Sequence, residues 1–307
     1  MKIYRVNEYG GPEKLVLQER PVPAPGPGEV LIEMEAAGVN PIDWKLRSGL
    51  YKDFMPLSFP WTPGIDGAGM VRAAGGNVTE FKQGQGVFGL ISSAYAGYAL
   101  AKAEEIRPIP SPLSFDQAAA VPIGALTAWQ AIMEDADIKK GQHVLICGAA
   151  GGVGSFAVQF ARLLGAHVTG TASDTNLEFV RSLGAETALD YNAGAFEKQV
   201  KDMDAVLDTV GGETLEKSLE TVKKGGLVLT IAGSPPQEKA KALGIRAIRS
   251  GRASPDKLTR ITELISTGEV VPTVGRIFPF TAAGEAQALS QTGHGRGRII
   301  LHISHKK

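Results

Sequence analysis

Cys147 is the only cysteine in a chain of 307 residues. Its isolation excludes a disulfide within the chain and any cysteine-rich zinc site. It ends the uncharged run Val144-Leu145-Ile146-Cys147, where a small buried residue is expected rather than a reactive thiol. Charge of one sign is lacking too: 32 Lys and Arg balance 32 Asp and Glu, so nothing argues for a protein that binds nucleic acid or a membrane surface. No stretch approaches the ~18 uninterrupted apolar residues of a membrane-crossing helix, and Met1-Lys2-Ile3-Tyr4-Arg5 lacks the apolar core of a signal peptide. A cytoplasmic location is the expectation. The five histidines, His143, His167, His294, His302 and His305, include no pair at metal-ligand or triad spacing, which leaves a Ser-His-Asp hydrolase without support.

Glycine, by contrast, is abundant: 38 residues, well above the usual ~7%. The stretch that organises the chain is His143 to Gly154, His-Val-Leu-Ile-Cys-Gly-Ala-Ala-Gly-Gly-Val-Gly. Its first half predicts a central strand of a parallel sheet, and the glycine-rich turn opens onto the apolar segment Phe156-Ala157-Val158-Gln159-Phe160-Ala161. Ala149-x-Gly151-x-x-Gly154 has the dinucleotide spacing, with Ala149 at the first glycine position, Gly151 admitting a pyrophosphate close to the backbone and Gly154 admitting the helix close to its strand. A second strand, His167 to Thr171, completes a βαβ unit of about the expected ~30 residues. Ala150, Gly151, Gly152, Val153 and Gly154 are therefore the candidate phosphate cradle, at a helix N-terminus whose N–H groups are free.

Length predicts two domains. Residues 1–115 show short strands punctuated by turns: Ile3 to Val6, Leu15 to Gln18, Glu29 to Ala37, Gly69 to Val71, Gly86 to Gly89 and Tyr95 to Ala99. This texture suggests a small barrel or sandwich. Ala37 to Asp43 is expected to be a loop. From 116 to 270 helices and strands alternate, the rhythm of a doubly wound α/β sheet. Ser114 caps a helix from Phe115, Pro122 starts another, and Thr175 to Leu183, Thr214 to Val222 and Lys257 to Ser266 are further helices. Gly225-Gly226 is expected to stop the helix before it. Strands are expected at Asp204 to Asp208, Leu227 to Ile231 and Ile245 to Ile248. Residues 271–307 return to β texture and are expected to rejoin the first domain. Ligands of such a sheet sit beyond the carboxyl ends of its strands, which puts Asp208 and Gly233 near a cofactor by position.

Cofactor choice turns on the end of the second strand of the unit. NAD proteins usually place a carboxylate there for the ribose hydroxyls, whereas a 2′-phosphate needs hydroxyl, amide or cationic partners. The strand ends Thr171-Ala172-Ser173, with Asn176 and Arg181 on the next helix, which favours NADPH. Asp174 stands either as a ribose ligand against that choice or as the cap of the following helix.

The ordered motifs Gly38-Val39-Asn40-Pro41-Ile42-Asp43-Trp44, Pro63-Gly64-Ile65-Asp66-Gly67-Ala68-Gly69, Leu126-Thr127-Ala128-Trp129, Gly148 to Gly154 and Asp204 to Gly212 run through nearly the whole chain. Together they resemble the zinc-independent quinone oxidoreductases of the medium-chain dehydrogenase/reductase superfamily. The resemblance implies a GroES-like β-barrel catalytic domain joined to a Rossmann doubly wound parallel sheet, NADPH in the cleft, a homodimer and a small-molecule acceptor. Where zinc alcohol dehydrogenases of the superfamily hold their catalytic metal, the matching places resemble Asn40, Ile65 and about Ile123, a set unable to bind zinc.

Hydride transfer to an acceptor activated by conjugation, a quinone or an α,β-unsaturated carbonyl, is the implied chemistry. By resemblance Asn40 and Tyr51 line the cleft and stabilise charge on the acceptor oxygen, while Asp43 orients the loop. The plain readings stand beside these: Asn40 before Pro41 is also an ordinary turn, and Tyr51 an ordinary loop aromatic. Thr127 is implied near the phosphates, Tyr191 at the adenosine phosphate, and Arg298 either reaching the cofactor or ending a solvated strand. Lys45, Arg47 and Lys52 near the pocket keep an enoyl-thioester reductase open, and a non-catalytic NADPH-binding sensor on the same fold is the alternative of another class.

Overall fold

The computed structural model describes residues 1–303, so His305 lies outside the described residues. In the first half, β1 (Lys2–Arg5) and β2 (Val16–Glu19) form an antiparallel ribbon. The long β3 (Glu29–Val39) is buried along nearly its whole length and passes at Asn40 into α1 (Pro41–Arg47), a helix that begins inside the loop expected from Ala37 to Asp43. Its local cause is readable in the residues. Asn40 is the N-cap, Pro41 opens the first turn, and the Asp43 carboxylate accepts the Asn40 N–H at 2.9 Å. Strands β4 (Asp66–Ala74), β5 (Gly86–Leu90), β6 (Tyr98–Lys102) and β7 (Ile106–Pro108) follow, β6 starting later than the strand expected from Tyr95.

The second half begins with α2 (Phe115–Ala119), capped as expected by Ser114, whose Oγ accepts the Gln117 N–H at 3.2 Å. Then come α3 (Pro122–Trp129), β8 (His143–Cys147), α4 (Gly154–Leu163), β9 (His167–Ala172), α5 (Leu177–Ser182) and β10 (Thr187–Asp190). The series continues through α6 (Phe196–Gln199), β11 (Met203–Asp208), α7 (Gly212–Ser218), β12 (Val222–Thr230), α8 (Gln237–Leu243), β13 (Arg246–Arg249) and α9 (Lys257–Ser266). The strands form one parallel sheet in the order β10-β9-β8-β11-β12-β13, a Rossmann arrangement in which the chain reverses its direction of growth between β8 and β11.

The tail supplies β14 (Val274–Pro279), α10 (Ala283–Gln291) and β15 (Arg298–His302). β15 pairs with β3, giving a barrel-side sheet ordered β14-β15-β3-β4-β5-β7, with β6 also on β3. Two local expectations are corrected. The tail is not all β, because α10 intervenes. Gly225 and Gly226 do not stop a helix; they lie inside β12, where Gly225 at φ +81 makes the irregularity that shifts the β11 register between Met203 and Ala205. The helix expected from Thr214 to Val222 accordingly ends at Ser218, followed by one tighter turn.

Alternation along β8 serves two layers. Val144 and Ile146 pack with Leu126, Phe156, Ala157 and Phe160 on one face, and Leu145 and Cys147 pack with Val206, Leu215 and Val228 on the other. Burial also pushes the Cys147 thiol pKa up, so the lone cysteine is an inert core residue. The switch point is thus held by helices on both sides. Phe160 is fully buried, edge-on to Trp129 at 5.4 Å between ring centroids. Phe160→Ala should cost about 3–5 kcal/mol through lost burial and the cavity left, whereas Val271→Ala, at a position 55% exposed, should change stability by less than about 0.5 kcal/mol; urea unfolding of the two variants checks the contrast.

Candidate functional site

At the carboxyl end of β8 the chain turns through Gly148, at φ +75, and the Gly151 N–H returns to the Gly148 carbonyl at 3.0 Å. The glycines serve different needs. A Cβ on Gly154 would stand 2.2 Å from the Gly148 oxygen, so the turn itself forbids it; a Cβ on Gly151 would meet only that oxygen at 3.3 Å, so what Gly151 leaves open is the approach from outside. The N–H groups of Val153 and Gly154 find no acceptor among the described residues, whereas that of Gly152 faces the Gly297 carbonyl in the bridge between Gly151 and Gly297. They lie at the start of the ten-residue α4 and make a cradle suited to phosphate. Gly124 of α3 has no Cβ where the Gly152 carbonyl passes at 2.6 Å, which brings the helix carrying the half-buried Thr127 against the turn.

Around this cradle the other candidates take separate places. Ser173 directly follows β9, and its Oγ accepts from the Asn176 amide at 2.8 Å, so these two form one polar pair. The carboxylate of Asp174 accepts the Thr175 N–H at 2.7 Å, but Asp174 is not the cap expected of it: Ser173 precedes the tight turn that Asp174 opens, and Asn176 precedes α5. Tyr191 follows β10, 42% exposed, its N–H bound to the Ala172 carbonyl. Arg181 is tied to Glu178 on its own helix. Gly233 lies in the loop after β12 near Leu215. Asp208 lies at the switch point but faces inward: its carboxylate accepts the Val210 and Gly211 N–H groups and the Thr230 hydroxyl, so it shapes the loop after β11.

On the barrel side a buried polar cluster gathers at the start of α1. The Asn40 amide donates to Asp66 Oδ1 at 2.7 Å, and Arg298 Nη2 donates to Asn40 Oδ1 at 2.8 Å and to Asp66 Oδ2 at 3.0 Å. Arg298 is therefore no solvated strand end; only 4% of it is exposed. Asp43 accepts the Gly64 N–H at 3.1 Å besides that of Asn40, with the Tyr95 hydroxyl at 3.4 Å. Burial, the largest influence, lifts the Asp43 pKa to about 7; the N–H donors of Asn40 and Gly64 lower it, Asp66 raises it and Arg298 lowers it. Burial and then Asp43 raise the Tyr95 pKa well above its ordinary value. Tyr51 lies on the turn after α1, its ring 4.8 Å from that of Phe54 and with Lys45 Nζ 5.8 Å from its centroid.

The glycine cradle and the Asn40 cluster meet directly. The Gly297 N–H donates to the Ala150 carbonyl at 2.8 Å, and Arg298 Cδ lies so near Gly152 that a Cβ there would be 2.6 Å away. Asp66 and Arg296 were not singled out from the sequence. Asp66 sits among the glycines of its motif, a signal that could have marked it; Arg296, whose guanidinium lies 5.0 Å from the Phe179 ring on the helix after β9, has no such signal. Arg47 is buried and bonded to Gln287 and Gly10, so it cannot serve an entry channel. A hollow of about 230 Å³ lined by Gln142, Lys223 and Arg246 lies at the opposite, amino ends of the strands, where Lys223 is paired with Asp204. Among the described residues no three His, Cys, Asp or Glu side chains that could hold a metal come together, and no helix is long and apolar enough to cross a membrane.

The family model described as Alcohol dehydrogenase GroES-like domain matches residues 26–111, and that described as Zinc-binding dehydrogenase matches 183–301. A GroES-like half facing a Rossmann sheet across a glycine-rich turn defines an NAD(P)H-dependent oxidoreductase of the medium-chain dehydrogenase/reductase type. The quinone oxidoreductase of Pongo abelii is 34% identical over 322 residues, covering 98% of this chain and 97% of its own. The solved quinone oxidoreductase from Coxiella burnetii has a TM-score of 0.90 at 32% identity, covering 99% of both chains. A mycobacterial protein solved in complex with NADPH has a TM-score of 0.90 at 28% identity, covering 99% of this chain and 100% of its own. The chain belongs to the quinone oxidoreductase-like family of that superfamily.

Two outcomes follow from this geometry. Gly151→Val should keep the fold and lose cofactor binding, while Gly154→Ala should lower the unfolding midpoint as well, because its Cβ meets the turn; cofactor titration beside thermal unfolding separates them. Asp43 has a folded pKa of about 7 against 3.8 for a free carboxyl, so its contribution to stability is full below 3.8 and is lost as pH rises through about 7. Between those values Asp43→Asn should lose less stability with rising pH than the parent, as read by denaturant titrations across the range.

Proposed function

We propose that this protein transfers hydride from NADPH, without zinc, to a quinone or an α,β-unsaturated carbonyl. The observation that carries the reading is the meeting of the phosphate cradle with the Asn40 cluster, at a place where a zinc enzyme of the superfamily would need cysteine or histidine and this chain has Asn40 and Ile65. When bound, the reduced nicotinamide supplies the hydride. The chain supplies position: Val153 and Gly154 N–H groups for the pyrophosphate, with Ala150, Gly151, Gly152, Thr127 and Gly233 around it and Asp208 shaping the loop beside it. The polar pair Ser173 and Asn176, with Tyr191 nearby, favours a 2′-phosphate, and the Asp174 carboxylate is engaged by the Thr175 N–H. Asn40 and Tyr51 donate to the acceptor oxygen as charge builds on it, and Asp43 holds the loop.

An apolar acceptor suits the turn around Tyr51, where Leu50, Phe54 and Met55 expose large apolar side chains. The withdrawal of Arg47 into the interior leaves Lys45 and Lys52 as the cations near this turn for the phosphates of an enoyl-thioester arm. A homodimer is supported by the open edge of β13, which pairs only with β12 among the described residues. With a chelator present, turnover of NADPH is expected with quinones or enones, with NADPH bound more tightly than NADH. Tyr51→Phe should reduce kcat about tenfold while NADPH affinity stays put. Tight NADPH binding with no turnover of any quinone, enone or enoyl-thioester would replace this reading by that of a sensor; a preference for NADH would return Asp174 to the ribose.

A further inference from the structure

Asp66 is fully buried, and its carboxylate joins three parts of the chain: Asn40 from the start of α1, Arg298 from β15, and the Ile123 N–H from the first turn of α3 at 3.1 Å. The Asn40 side chain between them meets chemically opposite partners. Asp66 accepts only, so it must face the NH2 end; Arg298 donates only, so it must face the oxygen. An asparagine amide otherwise has a broad terminal torsion and two nearly equal orientations. Here the flip is decided, and the second N–H of Asn40, a residue only 1% exposed, has no partner among the described residues. The same arginine lies along the cradle, its stem against Gly152 while its neighbour Gly297 bonds to Ala150.

We propose that Asp66 and Arg298 are positioning residues for hydride transfer, which through the Asn40 amide hold its remaining N–H in register with the glycine-rich turn. The inference rests on the reading of Asn40 as donor to the acceptor oxygen. A carbonyl oxygen turned toward an acceptor that gains charge would repel it, so the pair acts by fixing which end of the amide is presented. Arg298 serves twice. Its guanidinium sets the amide, and its stem sets the distance of the cradle from that amide.

The test measures kcat, NADPH affinity and unfolding midpoint for Asn40→Ala, Asp66→Asn and the double variant. Asn40→Ala is expected to lower kcat about tenfold to a hundredfold. Asp66→Asn should lower it to a similar extent while NADPH affinity moves less than about threefold, and the double variant should fall within about threefold of Asn40→Ala alone, because residues acting through one group do not add. Losses that multiply in a folded double variant, or an Asp66→Asn enzyme with full kcat, overturn the proposal and leave Asn40 its role. Full kcat in Asn40→Ala overturns the reading of Asn40 and the proposal with it. Since Asp66→Asn leaves the Arg298 charge buried without a partner, which destabilises strongly, the paired variant Asp66→Asn/Arg298→Gln removes both charges, and its kcat with and without Asn40→Ala gives the same comparison.

Discussion

The bond from the Gly297 N–H to the Ala150 carbonyl is where the barrel-side sheet touches the phosphate turn, and the site depends on that contact. A backbone N–H and a backbone carbonyl can meet across two separate sheets only if side chains stand aside. Gly152, where a Cβ would stand 2.6 Å from Arg298 Cδ, provides that clearance, and Gly297 at φ +63 lets its own segment run close to Thr273. Arg298, the next residue on β15, then falls with its stem on the turn and its guanidinium in the interior. The chain's return from the parallel sheet to the barrel is thus what assembles the cleft.

Burying charge there has a cost that the cluster offsets only in part, since Arg298 Nε is buried without a hydrogen-bond partner. Asp66 and Arg298 form an ion pair with side chains 0% and 5% exposed, an arrangement worth little in net stability but expensive to break. The guanidinium is also bonded to Asn40, and the carboxylate to Asn40 and Ile123. The second buried carboxyl, Asp43, has N–H donors but no direct cation, which is why its pKa rises while it still caps α1. Such groups are retained for geometry more readily than for stability, in line with a site that must present a donor at a fixed place.

Much of this was legible from residue order because its causes are local. The turn at Gly148 to Gly154 follows from strand, glycines and helix in sequence, and α9 runs from Lys257 to Ser266 as its apolar period predicts. Where reading failed, competing local signals overlapped. Asn40-Pro41 reads equally as a turn and as a helix start, and Gly225-Gly226 reads as a helix stop although it sits in a strand irregularity. Arg181 lies one turn from Glu178 and pairs with it at the surface, a neighbour that residue order shows and whose contact only the helix makes.

The sequence by itself determined the family, the class of cofactor and the parallel order of the dinucleotide half, since these rest on short-range motifs whose spacing states their geometry. Only the tertiary structure decided what the isolated polar residues do. Asp66 and Arg298 are 232 positions apart, and no periodicity links them; they meet because β15 pairs with β3 and carries the arginine back across the fold. Asp208, at the carboxyl end of a strand like any ligand residue, faces inward because the Thr230 hydroxyl of the neighbouring strand waits for it. Side-chain direction and pairing at long range depend on which strands become neighbours, and that is settled by packing of the whole chain.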